Sequence, residues 1–164
     1  MGAHGFSVPQ DGHTVQLITP HDLNGAAHSS LVCRMKNYRH ASILVSIGTA
    51  PRAAGVITVE SCDDMTPTTH TEIAFKYYKC ETAFEAANSD VWSAIQTAET
   101  TGIVPAAGTP NGVMYAIELD SDDLTEGHIG FRISIADPGA ASVISAVAIL
   151  SGGLATDQSP TVIA

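Results

Sequence analysis

Positive charge is scarce in this chain: seven Lys and Arg stand against 17 Asp and Glu in 164 residues, a formal net charge of −10. Arg34, Lys36, Arg39, Arg52, Lys76, Lys79 and Arg132 form no run that could neutralise several phosphates, which argues against direct nucleic-acid binding. Aromatic residues are few, at 5% with one Trp. Binding pockets depend on aromatic surface, so a glycan-binding or glycan-cleaving module is a secondary reading. The longest apolar run, ASVISAVAIL from Ala141 to Leu150, is too short to cross a bilayer as a helix. The first residues, MGAHGFSVPQDGH, have neither the basic nor the apolar region of a secretory signal. A soluble protein is expected.

The usual signatures of chemistry are missing as well. Cys33, Cys62 and Cys80 show no CxxC spacing, so buried, reduced thiols are expected rather than a metal or redox site. The histidines (4, 13, 21, 28, 40, 70 and 128) never fall at HxH or HxxxH spacing, and no metal ligand is assigned to them. There is no GxSxG elbow around a nucleophile. The acidic stretch DSDDLTEG, Asp120 to Gly127, places Leu124 where a calcium loop needs an oxygen ligand and lacks that loop's glycine, so it reads as a solvated turn. No catalytic residue, cofactor or metal is expected, and the chain does not read as an enzyme.

What the sequence does have is short β-prone runs separated by turn residues, the pattern of an all-β sandwich or barrel. SLVCRM, HASILVSI, GVITVES, TEIAFKYYK, VMYAIEL, HIGFRISIA and ASVISAVAIL read as strands. Their apolar faces are set by period two: Ile43, Val45 and Ile47; Ile73, Phe75 and Tyr77; Val113, Tyr115, Ile117 and Leu119; Ile129, Phe131, Ile133 and Ile135. DVWSAIQTA fits a helix or a strand and is assigned to strand. SDDLTEG is expected to join its two flanking strands as a hairpin. About eight strands result, enough for two packed sheets. Residues 1–29, where Gly, Pro, His and Asn interrupt every apolar group except VQLI, read as an extended arm or irregular lead-in with room for one short strand, 30–150 as the sandwich domain and 151–164 as a tail.

ASVISAVAIL poses the functional question. As a strand it has two apolar faces, and one sandwich core covers only one of them. Ile144, Ala146, Ala148 and Leu150 are therefore the candidate contacts with a second copy, and a homo-oligomer is expected, with a trimer ahead of a dimer. Abundant Ala, Gly, Ser and Thr suit flat contacts between subunits.

The order and spacing of HASILVSIGTA, GVITVESCDD, TEIAFKYYK, VMYAIELDSDDLTEGHIGFRISIADPG and ASVISAVAILSG resemble a group of small structural proteins of tailed bacteriophages, the capsid decoration or minor capsid proteins. That group has a YxIExDxxDLxxG run, here Tyr115 to Gly127, then a strand, a DPG-like turn (Asp137 to Gly139) and a last apolar strand ending in SG. The resemblance covers roughly Arg39 to Gly153. It implies a β-sandwich, jelly-roll-like, with the major capsid protein as partner. The chain would be made in the host bacterial cytoplasm and reside on the virion surface, where it seals and stabilises the shell by binding between capsomers. The alternative is a virion-displayed receptor- or carbohydrate-binding sandwich.

Overall fold

The computed structural model describes residues 7–49, 55–82, 86–87, 90–105 and 112–153. After a short helix, α1 (Val8–Asp11), the strands in chain order are β1 (His13–Asp22), β2 (His28–Ser29), β3 (Cys33–Arg34), β4 (His40–Thr49), β5 (Ile57–Cys62), β6 (His70–Ile73), β7 (Phe75–Cys80), β8 (Gln96–Ala98), β9 (Val113–Asp120), β10 (Gly130–Ile135) and β11 (Val143–Ser151). One sheet runs β1-β11-β4-β9-β7-β8 and the other β2-β10-β5-β6, with β3 also on β10. Every pairing is antiparallel. The protein is an all-β sandwich.

Strict alternation builds its core. Ala41, Ile43, Val45 and Ile47 of β4, the four alternate residues Val113 to Leu119 of β9, and Phe131, Ile133 and Ile135 of β10 are all fully buried. They meet Ile57 and Val59 of β5 in one apolar cluster. Each buried aliphatic side chain contributes about 1.5–3 kcal/mol before chain entropy is charged against it. The three cysteines are buried and form no disulfide. Burial pushes the Cys33 thiol up to about 12 and the Cys62 thiol to about 11, so neither is a ready nucleophile.

Several expectations need correction. Residues 13–29 are neither an arm nor an irregular lead-in: β1 is a ten-residue strand at the edge of the larger sheet, with Val15, Leu17, Ile18 and, just beyond it, Leu23 buried, and β2 lies on β10. Two register shifts, between Gln16 and Ile18 and between Ile18 and His21, break the alternation. The first lets the neighbours Leu17 and Ile18 both face inward. Pro20 is tolerated because β1 is an edge strand. The remaining N-terminal residues 1–6 and the tail from residue 154 onward lie outside the described residues.

TEIAFKYYK is not one strand. It changes sheets at Ala74, β6 pairing with β5 and β7 with β9, yet Ile73 and Phe75 both stay buried because both sheets face the same core. SDDLTEG does not close a hairpin either: β9 and β10 belong to opposite sheets, and a 3-10 turn at Ser121–Asp123 starts the crossing. Only Gln96–Ala98 of DVWSAIQTA is strand, and Val91, Trp92 and Ile95 are exposed.

Candidate functional site

The four residues assigned to a subunit contact lie in the chain's own core. Ala146, Ala148 and Leu150 have 0% exposure and Ile144 1%, which leaves them no surface to offer a second copy. The physical reason is position: β11 sits between β1 and β4, so its inner face is roofed by the smaller sheet. The face that remains carries Val143, Ser145, Val147 and Ile149, of which Val143 is 38% exposed and the others half-buried.

Register extends this outer face across the larger sheet. Val147 lies opposite Gln16 on one side and Leu44 on the other, and Leu44 is followed by Ala116 and Tyr78. The next row holds Ser145, Ser46 and Met114. Neither row contains a charged side chain, in a chain of net charge −10. Leu44 at its centre is 38% exposed. Charged residues enter in the rows toward the other end of these strands, where Glu118 lies opposite Ser42 and Lys76, and Asp120 opposite His40, and at the near edge, where Asp22 lies opposite Val143.

That end holds the most connected polar cluster on this face. His40 begins β4 and Asp120 ends β9, so i, i+2 spacing puts His40, Ser42, Glu118 and Asp120 on the same side. The imidazole Nδ1 is 2.7 Å from Asp120 Oδ1, and Nε2 is 2.7 Å from Glu118 Oε2. Ser42 Oγ donates to the same Glu118 oxygen at 2.7 Å and lies 3.3 Å from Nε2. Ionised carboxylates only accept, so both ring nitrogens donate and the ring is held as imidazolium. Burial pulls the His40 pKa down, but the hydrogen bonds and charges of Asp120 and Glu118 outweigh it and hold it above its ordinary 6.5.

Asp120, His40 and Ser42 follow the order acid, base and nucleophile, yet the arrangement does not support nucleophilic catalysis. Both ring nitrogens are already donating, and the Glu118 oxygen that accepts the Ser42 hydroxyl proton is itself paired with the imidazolium, which weakens it as a base. The groove beside the cluster, about 230 Å³, is lined by His40, Lys76, Thr97, Glu118, Asp120 and Asp123 together with Ala74 and Phe75. Among the described residues, no group of three or more His, Cys, Asp or Glu is arranged to hold a metal ion. No helix among them is long and apolar enough to cross a membrane.

Compared with known proteins, the chain matches no family model and no curated sequence.

The His40 cluster reads as a clasp tying the start of β4 to the end of β9. Sequence spacing shows only HxS and ExD, 78 to 80 residues apart, and pairing register alone brings them together. Because the folded pKa of His40 is raised, the clasp's contribution is fully present below about 6.5 and is lost as pH rises through the folded value. His40→Asn should therefore melt below wild type at the acidic side of this window, and the two should converge above it. Thermal melts across the window check this. A difference that does not change with pH would show that the ion pairs contribute nothing.

Proposed function

We propose that this chain is a structural protein of the virion of a tailed bacteriophage, which binds the assembled capsid shell, bridges capsomers and stabilises the lattice without performing chemistry. The carrying observation is the uncharged face of the larger sheet centred on Leu44, Ala116 and Val147. A charge-free patch on an acidic protein can dock on another protein without stranding buried charges. We take the partner to be the major capsid protein, with homo-oligomerisation through the same face.

Strand order adds support and favours a finer reading of the sandwich as a jelly roll. Take β1, β2, β4, β5, β6, β9, β10 and β11 as the eight principal strands. The first then pairs with the eighth, the eighth with the third and the third with the sixth. In the other sheet the second pairs with the seventh, the seventh with the fourth and the fourth with the fifth. This is the order of two Greek keys wound together, used by many viral capsid domains. Fold alone does not give function, and lectins share it. The shortage of exposed aromatics favours the capsid reading: Trp92 is the one aromatic among the large exposed hydrophobics of the described residues.

Quantitative mass spectrometry of purified virions tests the proposal. A copy number that matches a class of capsomer sites is expected. A few copies per particle, as for a tail-tip component, would favour the receptor-binding alternative, and absence from the particle would sink both.

A further inference from the structure

We propose that the groove between the turn joining β3 to β4 and the turn after β9 is a receptor for a carboxylate carried by a polypeptide partner. The inference deepens the reading above and rests on it only in taking the partner to be protein. The groove has a volume of about 300 Å³, with Arg34, Lys36, Ser121 and His128 as its polar lining and Met35, Leu124 and Ile129 as its apolar lining.

Three elements bring these residues together. Arg34 on β3 lies opposite Gly130 on β10, where any Cβ would sit 2.3 Å from the Cys33 carbonyl oxygen. Glycine is thus what lets β3 approach. Met35 N donates to Ile129 O at 3.1 Å and Tyr38 N to Met35 O at 2.9 Å, closing a turn in which Asn37 takes φ 74° and Lys36 stays exposed. On the other side Ser61 Oγ, fixed by the Thr125 amide at 3.1 Å, holds His128 Nδ1 at 2.9 Å.

Three of these residues, Arg34, Lys36 and His128, bring donors that no carboxylate of the groove meets. Neither Arg34 nor Lys36 has an ion pair among the described residues, and His128 Nε2 has no partner there. The Arg34 Nε is buried with no acceptor among the described residues, and an anion at the terminal nitrogens would supply this guanidinium with charge-assisted hydrogen bonds that its own chain does not. The acidic turn next door does not supply that anion. Asp123 accepts from the Asp120 amide at 2.8 Å, Asp122 pairs with Ser121 Oγ at 3.5 Å, and no Asp or Glu lines the groove.

The ligand's class follows from this lining. Cationic donors alone would suit any oxyanion, but Met35, Leu124 and Ile129 beside them favour an anion with apolar neighbours, as in an acidic segment of a polypeptide. On a chain of net charge −10, a cationic groove also selects orientation, because an acidic partner is repelled elsewhere.

The test uses the whole isotope-labelled protein, without capsid, titrated with a short peptide of alternating Glu and Leu. Inorganic phosphate and a Lys-Leu peptide serve as comparisons. The expected result is saturable amide shifts at residues 34–36, 121, 124 and 128 with the Glu-Leu peptide only. Lys36→Glu, a change at an exposed position, should weaken binding at least about tenfold, the equivalent of one charge-assisted hydrogen bond, with the rest of the spectrum unchanged. Saturation by phosphate but not peptide would overturn the polypeptide ligand, and saturation by neither would overturn the site. Because no capsid is present, failure here leaves the virion copy number standing as a separate result. Failure to find the protein in virions likewise leaves this titration standing.

Discussion

Deletion of residues 1–22 is expected to abolish cooperative folding. Composition makes this segment look like a dispensable arm, but Val15, Leu17 and Ile18 are 4%, 6% and 2% exposed. Three such side chains contribute about 5–9 kcal/mol of burial, against about 5–15 kcal/mol for the total stability of a typical domain. The deletion also strips β11 of one of its two neighbours and turns an interior apolar strand into a bare edge, which invites aggregation. Melting followed by far-UV dichroism, with a dye that reports exposed apolar surface, would read the outcome. A truncated chain that melts as sharply as the full one, and at the same temperature, would return β1 to the status of an arm. A milder version is Ile18→Ala, for which a loss of about 2–5 kcal/mol is expected.

The β1 segment also shows where sequence reading fails and why. Alternation is a reliable guide where a strand is regular: the inward residues of β4, β9 and β10 are those that period two selects. In β1 the register shifts twice within ten residues, and the buried apolar residues fall as VxLI rather than at alternate positions. Alternation is silent on a second matter, the sheet to which a strand belongs. Phe75 and Ile73 face the same core from different sheets, and Leu119 of β9 and Phe131 of β10 do so as well. A corner and a crossing therefore carry the same pattern as a continuous strand and a hairpin.

The polar sites were less legible still. His40 meets Glu118 and Asp120, and Arg34 and Lys36 share a groove with His128, only because strand order places them side by side. Scattered histidines give no local spacing to detect, and each of these contacts depends on register or on a glycine that permits close approach. The composition did carry one part of the surface: an acidic chain with few aromatics and many small residues presents charge-free rows of Ser, Ala, Val and Leu on the larger sheet.

Ala148→Lys and Leu44→Lys should separate the two faces of that sheet. Ala148 lies between Val15 and Ile43 in register and has 0% exposure. A lysine there must push a long side chain into a filled core and bury an unpaired charge. The loss should exceed about 4 kcal/mol, and no folded protein is expected. Leu44, on the adjacent strand but the opposite face, is 38% exposed between Val147 and Ala116. Its lysine head can reach water while its stem covers the neighbours, so the fold should survive with a change of about 0.5 kcal/mol or less. The same charge in the middle of the uncharged rows should abolish self-association and capsid attachment, because docking would now strand it. Far-UV dichroism, sedimentation and co-sedimentation with capsids read the three properties together. If Leu44→Lys keeps both its wild-type mass and its attachment, this face is not the contact. If Ala148→Lys folds and changes only the oligomeric mass, the inner face of β11 is the subunit contact after all.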